Sequence, residues 1–207
     1  RGTGLIGGSL TPLHELERMV TPAGLHFEVH HSGVPDIDPA EHKLLVHGLV
    51  DDAKIFTMED LMRFPKVSRF HFLECAGNGM GEWNSPRGQT AQQTHGLTSC
   101  SQWTGVPLKI ILNELGLRGD AKWLLAEGDD GARMTRSIPL WKAMDDAILA
   151  YAQNGEFLRP EQGFPLRLLV PGFEGNMNVK WLRRLEVGDK PWWTHHENTE
   201  YADPRPD

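Results

Sequence analysis

Cysteine is nearly missing. The 207 residues carry two, Cys75 and Cys100, too few for a disulfide scaffold. Neither stands in a CxxC or CxxCH spacing, which removes a cysteine-based zinc site and a covalently attached haem from this sequence. The pair reads as one disulfide, as two buried thiols, or as one working thiolate beside a spare. Long apolar runs are missing too: none approaches the roughly 20 residues that a membrane helix needs. Basic residues are outnumbered, 21 Lys and Arg against 28 Asp and Glu, for a net charge of -7. That balance argues against nucleic acid as the main partner and would suit contact with a basic surface. There is no internal repeat and no low-complexity linker. The length fits one domain with a real core, residues 1–207, and is short for two. The sequence opens on Arg1 and closes on Pro204-Arg205-Pro206-Asp207, so it reads as a partial chain.

What is present alternates between short strand and short helix signals. Residues 9–42 are rich in Pro, Gly and His and read as a loop-rich opening. His42–Val50 predicts a strand. Thr57 predicts the cap of a short helix that Pro65 stops. Ser68–Glu74 alternates as a strand does and runs straight into Cys75. Residues 76–99 are polar and Gly-rich and read as one long loop, a feature that tends to carry function. Val106–Leu117 reads as an amphipathic helix with Pro107 in its first turn. Lys122–Glu127, Ile148–Gln153, Leu166–Val170 and Val179–Val187 predict strands, with a turn at Asp129-Asp130-Gly131 and a short helix over Pro139–Met144. The order lacks a βαβ rhythm, so the expected class is α+β, a mixed α/β domain of short strands and helices.

Several residue groups invite chemistry. Gly2-Thr3-Gly4-Leu5-Ile6-Gly7 fits GxGxxG in spelling only, because a dinucleotide site needs a preceding strand and a following helix. His26, His30 and His31 cluster, and His195-His196 form a second pair. Hydrogen-bonded or solvated histidine accounts for most of them, and a zinc module is the alternative. Cys75, at a strand end before a glycine loop, reads equally as a buried thiol or as a soft ligand for a polarisable metal. Arg167, Lys180, Arg183 and Arg184, near Pro171-Gly172, could hold a phosphate or another anion, or form a solvated edge. Trp83 and Trp103 read as core residues or as residues along a docking path.

Three segments together then resemble the sulfite oxidase family. Phe72-Leu73-Glu74-Cys75-Ala76-Gly77-Asn78 looks like its cysteine motif. Gly163-Phe164-Pro165-Leu166-Arg167, Val170-Pro171-Gly172 and Val179-Lys180-Trp181-Leu182-Arg183-Arg184 resemble its pterin-binding strands. Phe27-Glu28-Val29-His30-His31 with Val34-Pro35 is similar to its first cofactor loop. Within the family the likeness is strongest to the molybdenum subunits of sulfane dehydrogenases. It extends to Thr94-His95-Gly96-Leu97-Thr98-Ser99-Cys100, to the run from Gly131 to Leu140 and to the run from Gly172 to Trp181.

The resemblance implies a molybdopterin-binding catalytic domain, which in the family continues into an immunoglobulin-like dimerisation domain and so into a homo-oligomer. It implies a molybdenum-molybdopterin cofactor with Cys75 as the metal ligand. Phe27, His30 and His31 would line the cofactor loop, Asp130 and Arg167 would contact the pterin, and Asn178, Val179 and Lys180 would hold its far end. Tyr201 would be the active-site phenol, and His30 would position the anionic end of the substrate. This sequence departs from the family's sulfite oxidases where they carry arginine: His30, Met80 and Met177 stand there, and Gln162 replaces a histidine. Fewer cations fit a tethered, less charged sulfur better than free sulfite. The expectation is therefore oxidation of carrier-bound sulfane sulfur, and the resemblance further implies a place in the periplasm and a c-type cytochrome that takes the electrons. A sulfite dehydrogenase and a non-catalytic relative without cofactor are the alternatives.

Overall fold

The computed structural model describes residues 7–84, 89–199 and 201. The elements in chain order are β1 (Gly7–Ser9), β2 (Glu28–His30), β3 (Lys43–Gly48), β4 (Lys54–Thr57), α1 (Met58–Arg63), β5 (Val67–Glu74), α2 (Met80–Asn84), α3 (Ala91–His95), β6 (Thr98–Pro107) and α4 (Leu108–Leu115). Then come β7 (Trp123–Gly128), β8 (Thr135–Pro139), α5 (Leu140–Asp145), β9 (Ile148–Gln153), β10 (Glu156–Phe157), β11 (Arg167–Leu169), β12 (Leu182–Gly188) and α6 (His195–Thr199). The mixed α/β class is as expected. The strands build two five-stranded sheets, ordered β10-β9-β6-β5 with β11 also on β9, and β4-β3-β12-β7-β8; β1 and β2 form a small ribbon. β12 lies in the middle of the second sheet because Leu182, Leu185 and Val187 are all buried. It runs parallel to β3 and antiparallel to β7.

Local signals explain the helices that matter. Thr57 caps α1 through a reciprocal pair: Asp60 N–H donates to Thr57 Oγ1 at 3.1 Å and Thr57 N–H to Asp60 Oδ2 at 3.0 Å, which satisfies two end groups at once. α4 buries Leu108, Ile111, Leu112 and Leu115, the spacing of one helical face. It stops at Gly116, whose φ of +69° and whose approach to Asp51 exclude a side chain. The α4 stripe joins both sheets in the main core, with Leu44, Leu124, Leu149, Leu168 and Leu185.

A second, smaller core of Phe27, Leu73, Trp103, Ile148, Ala150, Leu158 and Leu169 lies on the other side of the first sheet. β9 separates the two cores and is apolar on both faces for that reason. Strand alternation on β11 sends Leu168 into the main core and Arg167 and Leu169 to the opposite side. That side carries the cleft.

Four expectations need correction. Residues 76–99 are not one loop but hold α2, α3 and the start of β6. Val106 and Pro107 end β6, so the helix begins only at Leu108. The residues after Val179 turn before β12 begins at Leu182. Residues 9–42 hold the last residue of β1, all of β2 and two short 3-10 turns, and β4, β8 and β10 are further strands that the sequence reading left out. The GxGxxG spelling falls almost wholly on residues 1–6, outside the described residues.

Candidate cofactor cleft

A cleft of about 730 Å³, counted to its solvent mouth, opens over the smaller core. Phe27, His30, His31, Cys75, Asp130, Arg167, Asn178, Val179, Lys180 and Tyr201 all line it. They arrive from β2, the end of β5, the turn after β7, β11, the segment before β12 and the segment after α6. Every residue to which the resemblance gave a place at the cofactor or substrate thus faces one space.

Cys75 is half-buried and follows β5 directly. Its N–H donates to Leu97 O at 3.0 Å, and its carbonyl accepts from Asn78 N–H at 2.9 Å, so the backbone fixes where Sγ points. Gly175 packs against this corner: a Cβ there would lie 3.1 Å from Glu74 O and 3.3 Å from the Cys75 Cα. Burial pushes the Cys75 thiol up, with Glu174 and Glu74 adding to it and the Gly77 N–H opposing it. The free thiol is protonated, and a metal must displace that proton to bind sulfur.

The opposite wall is cationic. Buried Arg167 donates from Nη1 to Gln162 O at 3.1 Å and from Nη2 to Asn178 O at 3.2 Å, while its Nε has no hydrogen-bond partner among the described residues. Its guanidinium lies 4.8 Å from the Trp103 ring. Lys180 Nζ donates to Val29 O at 2.8 Å and Glu161 O at 2.9 Å. Burial brings Lys180 down to about 7, with Arg167 adding, and brings Arg167 down to about 9. Asn178 spends its side chain on its own loop: Oδ1 accepts from Val170 N–H at 2.7 Å and Nδ2 donates to Glu174 O at 2.8 Å. It shapes the wall rather than offering a free amide. Asp130 likewise ties its turn, accepting from Met134 N–H at 2.8 Å.

His30 is buried with its Nδ1 unpartnered among the described residues, and the His31 ring stands 5.4 Å from that of His196. Sequence reasoning gave no site role to His26. Its Nδ1 meets Phe27 O at 2.8 Å; a carbonyl only accepts, so Nδ1 carries the proton and Nε2 is a lone pair. That Nε2 is buried without a partner among the described residues. Burial holds His26 down to about 3, so it stays neutral. Gln162, noted above only as a replacement, links Phe27 O to Arg167 through its side-chain amide. Asn176 lines the cleft and Arg136 lies behind it; both fall inside segments that carry the resemblance but gave no positional signal of their own.

Other candidates lie elsewhere. Arg183 and Arg184 pair with Glu127, both at 2.6 Å, so they belong to an ion-pair network and not to the cleft. Met80 and Met177 do not line it. Trp103 is core, under Arg167, whereas Trp83 is 90% exposed. Among the described residues no group of three or more His, Cys, Asp or Glu could hold a metal ion.

Unpartnered buried polar atoms, two cations and one thiol around a single cleft fit an anionic cofactor that presents a soft metal. The description "Oxidoreductase molybdopterin binding domain" matches residues 31–196. The chain belongs to the sulfite oxidase family. Nitrate reductase [NADH] of Ulva prolifera is 35% identical over 200 residues, 88% of this chain and 23% of that protein. Nitrate reductase [NADH] of Brassica napus is 41% identical over 183 residues, 81% of this chain and 20% of that protein. The crystal structure of the sulfane dehydrogenase SoxCD from Paracoccus pantotrophus matches with a TM-score of 0.95 and 43% identity, over 100% of this chain and 53% of that one. The chain therefore spans about half of that solved chain and less than a quarter of these nitrate reductases.

Proposed function

We propose that this domain oxidises sulfane sulfur held on a carrier, in the periplasm, and passes the electrons to a c-type cytochrome. The observation that carries the reading is the cleft itself, where Cys75, the Arg167 and Lys180 cations, His30 and Tyr201 share one space. Likeness to a sulfane dehydrogenase along the whole chain supports the choice of substrate.

Molybdenum on molybdopterin supplies two-electron oxygen-atom transfer when bound. Cys75 gives up its proton and offers a thiolate to the metal. Arg167 and Lys180 set a positive potential for the anionic end of the cofactor. Neutral His26 offers an acceptor to a ligand N–H, and Phe27 and Leu73 give an apolar floor that excludes water. His30 orients the substrate, and the Tyr201 phenol donates a hydrogen bond and moves a proton at its hydroxyl. Each turn adds one oxygen atom from water to sulfur and releases two protons and two electrons.

Nitrate reduction is the second reading, favoured by the 35% and 41% identities above. Free sulfite is a third substrate on the same cleft. One set of assays separates them, on protein made in a host that synthesises molybdopterin. A protein-bound persulfide with cytochrome c as acceptor should turn over at least tenfold faster than sulfite. Nitrate with a reduced viologen dye should give no nitrite. A faster rate on sulfite, or nitrite formation, would replace the proposed substrate.

A further inference from the structure

Arg136 is fully buried on β8, and nothing above gives it work. Its Nε–H donates to Asn176 Oδ1 at 3.1 Å and its Nη1–H to Thr135 O at 2.8 Å. Its guanidinium carbon lies 4.9 Å from the centre of the Tyr201 ring. Arg136 does not itself line the cleft, but Asn176 and Tyr201 both do. One buried cation thus stands behind two cleft side chains that come from separate segments, the 3-10 turn Gly175–Met177 and the stretch after α6.

Tyr201 N–H donates to His196 O at 3.1 Å, which places its main chain. A guanidinium against an aromatic face holds it in a defined plane. The same guanidinium, through Asn176, ties that plane to the turn that packs on Cys75.

We propose that Arg136 is a positioning residue: it locks the Tyr201 phenol to the Asn176 turn and so sets turnover without touching substrate. This deepens the proposed oxidoreductase reading and rests on it for its kinetic consequence, but not for its structural one.

The test uses the fact that the chain has only two tyrosines, Tyr201 and the core residue Tyr151. Protein labelled with 3-fluorotyrosine gives two fluorine resonances, and the one missing from Tyr201→Phe is Tyr201. Arg136→Met should move the Tyr201 resonance toward the unfolded-chain value and leave Tyr151 in place. Arg136→Lys, the gentler change, should give a smaller shift of the same sign. An unmoved Tyr201 resonance in both variants would overturn the proposal, as would equal movement of both resonances, which marks general loosening. In the cofactor-loaded enzyme, Arg136→Met should lower kcat roughly 10- to 100-fold with KM changed less than threefold. That loss should nearly vanish in a Tyr201→Phe background; a full loss there would show that Arg136 acts by another route. The cycle runs on whichever of persulfide, sulfite or nitrate turns over, so a wrong substrate does not touch it.

Discussion

At the scale of single residues, burial decides which groups of the cleft carry charge. His26 is neutral because desolvation holds it near 3, and the Cys75 thiol is protonated because the same effect pushes it up. Cys75→Ser keeps nearly the same volume and the same backbone bonds, so the melting temperature of the cofactor-free protein should change by less than about 3 °C, under about 1 kcal/mol in a chain of this size. Metal content, read by elemental analysis, should fall at least tenfold, because a neutral hydroxyl is a poor ligand for a soft metal. Retention of metal by the variant would remove Cys75 from the site. Lys180 makes a pH prediction. Its value near 7 lies below the 10.5 of a free lysine, so the cost of burying the ammonium is present in full below pH 7. It is relieved as pH rises from 7 toward 10.5, and this one group stabilises the cofactor-free protein progressively over that window. An anionic ligand needs the ammonium, so its affinity should run the other way, falling by up to tenfold per pH unit above 7. Pyrophosphate binding to the cofactor-free protein between pH 6 and 9 measures this. Lys180→Met should bind weakly and show little of that slope; a wild-type affinity flat across the range would mean that Lys180 does not face the anion.

At the scale of elements, what was legible depended on which way the polar residues point. α1 could be read from Thr57 and Pro65, and α4 from its leucines and isoleucine, because those signals are local. β6 could not. Its inward face is Ser99, Ser101 and Trp103, and the two serines are buried because they are hydrogen-bonded, Ser99 to Thr11 at 2.5 Å and Ser101 to the Gln153 amide at 2.9 Å. The alternation is present but inverted in polarity, and a hydrophobic pattern search reads it as loop. β8 hides because its buried residues include the polar Arg136 and Ser137, one on each face of the strand. The cleft residues were legible only through the family resemblance, since no local pattern shows that Phe27, Cys75, Arg167 and Tyr201 meet. The turn carrying Gly175 tests this view of the site as packed elements. Gly175→Val places branched carbons against the Glu74–Cys75 backbone, and overpacking of this kind costs roughly 1–3 kcal/mol when neighbours must move. The turn is the softer partner, so cofactor content should fall severalfold while far-UV circular dichroism stays unchanged. Full cofactor content in that variant would show that the turn is free to shift without disturbing Cys75.

At the scale of the whole molecule, the cleft has no element of its own. Its walls come from β2 of the small ribbon, from the smaller core, from β11 in the first sheet and from the segments that flank the second, and β9 lies between that smaller core and the main one. A site made this way cannot persist when the fold opens, and a bound cofactor adds its binding free energy to the folded state alone. Leu112 of α4 tests the coupling because it lies in the main core and not on the cleft. Leu112→Ala should cost about 2–5 kcal/mol from lost burial and the cavity left behind. In a urea titration of the loaded protein, release of the pterin, followed by its fluorescence, and loss of secondary structure should share one midpoint. The variant should move both midpoints down together. Release at a lower urea concentration than unfolding, in the wild type, would mean that the cleft opens as a separate unit, and the substitution in α4 would then leave the release midpoint where it was. A shared midpoint that shifts with Leu112 would make the main core, and not only the residues at the metal, a determinant of how firmly the cofactor is held.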